Sequence, residues 1–360
     1  MGSHDNNRSG FAPLARNMPA LTGIRGWAAL WVLLFHVNSF DRFRVPGIAS
    51  GYLGVDAFFI LSGFVLSHGY ATRFAQPTKL AWVRFLRGRV ARIYPLHLLM
   101  LSVSLIVVLA LPQFSAARTA GRFSAQALLA CMLLIQNWGA VLPESWNSPT
   151  WSLSAEWCAY LVFPVMAAFV LRLRSGRTSL LFAFGCWILL TAAFLLLGKR
   201  SLDSMGSAGM IRMAFEFTAG SLLWRAAFLG WRLPRQATFW AAAMLLFGAI
   251  LPGATFLALP AFAMFVLLGA SEEGAAHRLL AQPISIWLGE ISYSVYLIHF
   301  IPLDLLHWAV KPVVPGWAWI MCQLAFILMV LAASSGMYRW FELPAKRLLS
   351  AGSAPLARAS

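Results

Sequence analysis

The chain has 360 residues, 60% of them hydrophobic and 11% charged, with a mean hydropathy of +0.72 and a formal net charge of +16. Soluble globular domains carry roughly 25% charged residues and about 45–50% apolar ones, so a water-soluble enzyme is excluded. The cations fall in turns between long apolar blocks, where they set orientation in a lipid bilayer, and no nucleic-acid partner is implied.

Eleven apolar blocks follow one another at 19–40, 51–71, 94–112, 125–142, 150–171, 179–198, 208–229, 236–251, 254–270, 283–309 and 316–338. Each is close to the roughly 20 residues needed to cross a hydrocarbon core. The first follows a polar stretch with Arg8 and Arg16 and has no small-residue cleavage site, so it is expected to stay as a signal anchor. The turn at 72–93 holds Arg73, Lys79, Arg84, Arg87, Arg89 and Arg92 and is expected in the cytoplasm. The basic turns Arg172/Arg174/Arg177 and Arg225/Arg232/Arg235 and the tail with Arg339, Lys346 and Arg347 reach the same side only if one block fails to cross. The blocks flanking Trp138 to Trp151 are expected to form one crossing plus a re-entrant or half-length segment, which membranes tolerate where its backbone is buried in protein. The predicted fold is all-α: a polytopic membrane helix bundle of about ten transmembrane helices, both termini cytoplasmic, with 20 of the 28 Lys and Arg inside. Residues 1–17 and 349–360 read as cytoplasmic tails around one membrane domain at 18–348. Cys131, Cys158, Cys186 and Cys322 lie in apolar blocks without metal-site spacing and read as buried fillers, and no metal site is predicted.

Ionisable groups at membrane depth cost at least ~2.5–3.5 kcal/mol each, which makes them functional candidates. In the first block Arg25 and His36 are 11 residues apart, about 1100° of helix rotation, so they face the same lumen within roughly 20° and stand about 16.5 Å apart along the axis. They mark two ends of one polar path. In the second block Asp56 falls where it could enter the cavity of His36 and accept its ring N–H, fixing the tautomer of a general base. Ser62 and Gly63 fit close helix packing better than nucleophilic chemistry. Arg89 and Arg92, at i and i+3, share a face on which two guanidinium forks can hold a phosphate or pyrophosphate. Glu216, four residues after Arg212, reads equally as half of an internal ion pair or as a site. Asp304 and His307 read as an interfacial pair, and His68 and His97 as satisfied structural histidines.

The chain resembles the acyltransferase-3 family of integral-membrane O-acyltransferases. The resemblance rests on the stretch Leu21-Thr22-Gly23-Ile24-Arg25-Gly26 with His36, on Gly54 to Phe64, and on Arg89-x-x-Arg92-Ile93-Tyr94-Pro95. It continues in Asn137-Trp138, Trp151 to Glu156, Ser292 to His299 and Tyr338 to Pro344. Trp157-Cys158-Ala159-Tyr160 departs from the second acid common in the family, without affecting Glu156. The resemblance implies a bacterial inner-membrane enzyme that passes an acyl group, expected to be acetyl, from cytoplasmic acyl-CoA to a carbohydrate hydroxyl. The acceptor would be an exopolysaccharide, lipopolysaccharide or lipid-linked glycan, and polysaccharide-assembly proteins are candidate partners. It implies no permanently bound cofactor, acetyl-CoA or another acyl-CoA being the donor substrate. By the same resemblance His36 would be the base or acyl acceptor, with Arg25 its partner in the path, and Arg89 and Arg92 would clamp donor phosphates. Glu156 would line the cavity with Asp56, and Ser62, Tyr293 and His299 would line the substrate path.

Other readings stay open at the level of sequence. Within the family, the acceptor could be a cytoplasmic small molecule such as a macrolide. Outside it, a transporter or lipid flippase would use Arg25, Asp56 and Glu156 as relays, although inverted repeats and paired broken helices are not evident. A non-catalytic scaffold would have no need of His36.

Overall fold

The computed structural model describes residues 14–15, 17–39, 41, 44–111, 123–139, 146–271, 274–309 and 315–350; residues 1–13 and 351–360 of the expected tails lie outside them. Every regular element among the described residues is helical. In chain order, omitting single turns, these are α1 (Pro19–Ser39), α2 (Leu53–Tyr70), α3 (Lys79–Ala110), α4 (Ala125–Met132) and α5 (Thr150–Leu171). They continue with α6 (Gly176–Leu196), α7 (Gly206–Phe228), α8 (Ala237–Ile250), α9 (Ala258–Gly269) and α10 (Gly274–Leu280). The last four are α11 (Pro283–Ile298), α12 (Phe300–Ala309), α13 (Gly316–Met337) and α14 (Leu343–Ser350). Leu181, Leu189 and Leu196 of α6 and Val165 of α5 stand exposed, as side chains do that face lipid tails.

Among the described residues six helices are long and apolar enough to cross a membrane, and two bent pairs raise this to eight. The expected count of about ten therefore depends on two further helices. These are α7, which carries Arg212, Glu216 and Arg225, and α8, which has 14 residues.

Two elements differ from their expected bounds. The basic turn at 72–93 is mostly helix: Thr78 accepts from Ala81 N as an N-cap, and α3 then runs 32 residues without interruption through Pro95. The block at 125–142 ends as a helix at Met132. There the chain reverses through Leu134 (φ 56), with Ile135 N donating to Ala130 O and Leu134 N to Cys131 O, the Schellman closure with leucine where glycine is usual. α4 is thus the half-length segment, and helix directions agree. Phe85 meets Phe163 at 5.1 Å and Tyr94 meets Trp157 at 5.6 Å, so α3 and α5 run antiparallel, as they must if α4 returns to the side it came from. His97 Nε2 bonds Cys131 O at 2.8 Å and Ser104 Oγ donates to Trp146 O, which ties the returning segment to α3.

Two seams of closely packed parallel helices hold the bundle together. In the first, α1 lies along α11: a Cβ on Gly26 would sit 2.4 Å from Gly289 N, and one on Gly289 would sit 2.0 Å from Thr22 O. In the second, α2 lies along α7, where a Cβ on Gly63 would sit 2.0 Å from Phe217 O and one on Gly220 2.0 Å from Ile60 O. With no apolar driving force between helices in lipid, such backbone contact is what small residues supply.

Candidate functional site

The first seam carries both ionisable groups of α1. Arg25 donates through Nε (3.2 Å) and Nη2 (2.8 Å) to Gly289 O on α11, and His36, three turns further, meets the ring of His299 at the end of the same helix. Both residues expected to share a lumen therefore face one neighbour. His36 Nδ1 is 2.9 Å from Val32 O and 3.2 Å from His299 Nε2, and His299 Nδ1 is 2.9 Å from Val295 O. No hydrogen bond reaches His36 Nε2 among the described residues, and its ring is half-buried between Phe35 (5.0 Å, edge-on) and Phe300 (5.4 Å, edge-on).

His299 stands on the last turn of α11, its N–H still bonded to Val295 O, where the block breaks. The block at 283–309 is two helices bent by 53° at His299. Pro302 explains the bend: it has no N–H for Ile298 O, and its ring crowds that carbonyl four residues back.

Asp56 is not the partner expected for His36. Arg212 of α7 takes both its oxygens, Nε on Oδ1 at 3.1 Å and Nη2 on Oδ2 at 2.7 Å, while Nη1 donates to Ser204 O at 2.9 Å. Both side chains are buried, and the pair is the one salt bridge among the described residues. Of the two readings left open for Glu216, an ion pair with Arg212 is not the one formed. A carboxylate on the neighbouring helix offered Arg212 a two-pronged contact that its own i+4 neighbour did not match. Beside the pair, burial holds the Asp203 carboxyl in the loop before α7 above its ordinary range, against the opposing pull of Arg212 and Arg44.

The basic end of the path gathers groups from six helices. Arg89 donates to the Tyr70 hydroxyl at 3.0 Å and lies over the rings of Tyr70, Phe85 and Tyr160, while its buried Nε has no hydrogen-bond partner. Arg92 sits over the ring of Tyr293 at 6.0 Å with no hydrogen bond of its own, and the Tyr293 hydroxyl donates to Ile93 O. Ser62 donates to Glu156 across the α2–α5 contact, which joins two of the predicted residues. The sequence analysis missed Glu342 and Lys346. A π-turn over Tyr338–Glu342 swings Glu342 inward, where it is buried and accepts from Ser294 Oγ at 3.1 Å, within electrostatic range of Arg25 and Arg92. Lys346 follows one turn later on α14, which Arg87 fastens to α3 through Leu349 O. Glu342 stood in the matching stretch Tyr338 to Pro344 and Lys346 in the basic tail, but neither was assigned to the site.

Arg25, Arg89, Arg92 and Lys346 thus converge on Glu342 and Glu156, and cations remain in excess. Such an end can take an anion, while the other end holds a ring nitrogen with a free lone pair. No cluster of His, Cys, Asp and Glu among the described residues could hold a metal ion, and the four cysteines form no disulfide, Cys131 being buried and the others half-buried.

The sequence profile of a family described as an acyltransferase domain matches residues 18–339. The chain belongs to the acyltransferase-3 family. Two of the similar proteins are acyltransferases by name. Acyltransferase MdmB of Streptomyces mycarofaciens is 28% identical over 320 residues, 80% of this chain and 79% of that one. O-acetyltransferase OatA of Staphylococcus aureus is 25% identical over 167 residues, 44% of this chain but 26% of OatA. Protein 2 in picA locus of Rhizobium radiobacter is 47% identical over 83 residues, 23% of this chain and 41% of that protein. No solved structure matches. As an acyltransferase-3 protein with at least six apolar spans, the chain is a membrane protein of acyltransferase type.

Proposed function

We propose that the chain is an acyl-CoA-dependent O-acyltransferase of the bacterial inner membrane. In this reading it moves an acetyl group from cytoplasmic acetyl-CoA to a hydroxyl of a surface carbohydrate or its lipid-linked precursor. The observation that carries the reading is the pairing of two ends of one polar path: a cluster of cations at Arg25, Arg89 and Arg92, and a histidine whose Nε2 is unengaged at His36. The resemblance to an O-acetyltransferase supports the choice of oxygen acceptor and acetyl donor.

The donor's phosphates bind the guanidinium groups of Arg89 and Arg92, whose planar forks suit them. Its thioester arm reaches from there toward His36. His36 Nε2 takes the proton of the acceptor hydroxyl as oxygen attacks the thioester carbon; the C–S bond breaks, and the proton passes to the departing thiolate. No proton is gained or lost overall. Arg25, closer to the donor end, holds the arm by charge and hydrogen bonds.

The test is transfer of radiolabelled acetyl from acetyl-CoA to carbohydrate in vesicles carrying the wild type, His36→Ala or Arg89→Ala/Arg92→Ala, with insertion verified for each. The expected result is loss of transfer in the histidine variant and a raised donor KM in the arginine variant. Undiminished label with His36→Ala would overturn the mechanism.

A further inference from the structure

We propose that His299 is a positioning residue for His36: it accepts the Nδ1 proton of His36 and so keeps the Nε2 lone pair of His36 free for the acceptor hydroxyl. The inference rests on the reading of His36 as the base.

It follows from counting protons. Val32 O and Val295 O can only accept, so each Nδ1 that faces one of them, at 2.9 Å in both cases, carries a hydrogen. A neutral imidazole has one N–H, so His299 Nε2 is a lone pair, 3.2 Å from His36 Nδ1. The His36 Nδ1–H is then shared between Val32 O and His299 Nε2. His36 Nε2, the fourth nitrogen, holds the remaining lone pair and has no partner. Each ring thus fixes the other's tautomer, and the base is set before substrate arrives.

A carboxylate usually does this work for a catalytic histidine. Here the orienting group is neutral, and His299 is fully buried. A fixed negative charge at this depth would be costly without a cation, and no charged side chain contacts either ring among the described residues. When Nε2 takes the hydroxyl proton, the bond from His36 Nδ1–H to His299 Nε2 becomes charge-assisted, which stabilises the imidazolium.

The arrangement also sets a pH dependence. A proton on His299 Nε2 would point at His36 Nδ1, which would have to accept, moving the His36 hydrogen onto Nε2 and blocking the base. Both rings must therefore be neutral. Tyr296, whose ring is 6.2 Å from that of His299, is the other titratable group in contact with the pair, and its hydroxyl is engaged by Ser152 and Pro149 O.

The experiment compares wild type, His299→Leu, His299→Gln and His36→Ala in vesicles, measuring kcat, both KM values and the acid limb of kcat against pH. Leu removes the acceptor, and the expected result is a kcat lowered about 10²-fold with both KM values held within about twofold. The Gln side chain offers an amide oxygen near the place of Nε2, so it should recover most of the kcat that Leu loses. A loss confined to KM, an unchanged kcat with Leu, or a kcat with Gln no higher than with Leu would overturn the proposal. If the Leu variant does not insert, His299→Ala, which also removes the acceptor, takes its place. Wild-type transfer by His36→Ala would instead overturn the underlying reading.

Discussion

The two glycine-lined seams are built alike and used differently. Each joins parallel helices at van der Waals contact, and each buries ionisable groups that lipid would not accept. Along α2 and α7 the guanidinium of Arg212 is consumed by both oxygens of Asp56 and by Ser204 O. Along α1 and α11, Arg25 spends two donors on a single carbonyl, and the two histidines leave one nitrogen unengaged. The first arrangement clamps two helices, and the second has valence left for a substrate. Intramembrane charge alone therefore does not mark a site; spare hydrogen-bonding capacity does.

The sharpest way to break the comparison is at His36. His36→Ala should lower transfer by about 10³-fold or more at normal insertion, measured as acetyl incorporation. The closed seam should respond in stability. Asp56→Ala leaves Arg212 buried and unpaired, and should cost about 3–5 kcal/mol, read as a fall in melting temperature in detergent. The double variant Asp56→Ala/Arg212→Met should recover most of that loss, because no charge is then stranded; a double variant as unstable as the single one would contradict the clamp. Gly220→Val drives a side chain into the Ile60 carbonyl and should cost about 1–3 kcal/mol, checked in the same assay. The smallest effect is expected at the basic end. Arg92→Ala should raise the donor KM about tenfold, about 1.4 kcal/mol, with kcat unchanged; a lowered kcat would move Arg92 from donor binding to the chemical step.

Much of this was legible from the sequence. Apolar block lengths gave the helical bundle, and basic turns required one segment to fail to cross, which α4 does. The rotation from Arg25 to His36 placed both on one face, and both meet α11. The partners of these groups were not legible. Arg212 lies 156 residues from Asp56, and His299 lies 263 from His36; helical periodicity relates positions within a helix and says nothing about which helices adjoin. Asp56 was therefore assigned to the histidine of the preceding block. Pro302 did carry a signal for the break at His299, hidden by an unbroken apolar run, whereas the π-turn that delivers Glu342 has no compositional mark.

The half-length α4 has a consequence for the far end of the chain. Helices alternate in direction as a chain weaves through a bilayer, so whether two of them run parallel is a question of parity. α1 and α11 run parallel because the chain reverses an even number of times between them. Were α4 extended into a full crossing, every later span would be inverted. Residue 299 would then lie beside Arg25, and the two histidines would stand at opposite faces of the membrane. A turn around Leu134, far from either ring in sequence, thus decides whether they can meet at all.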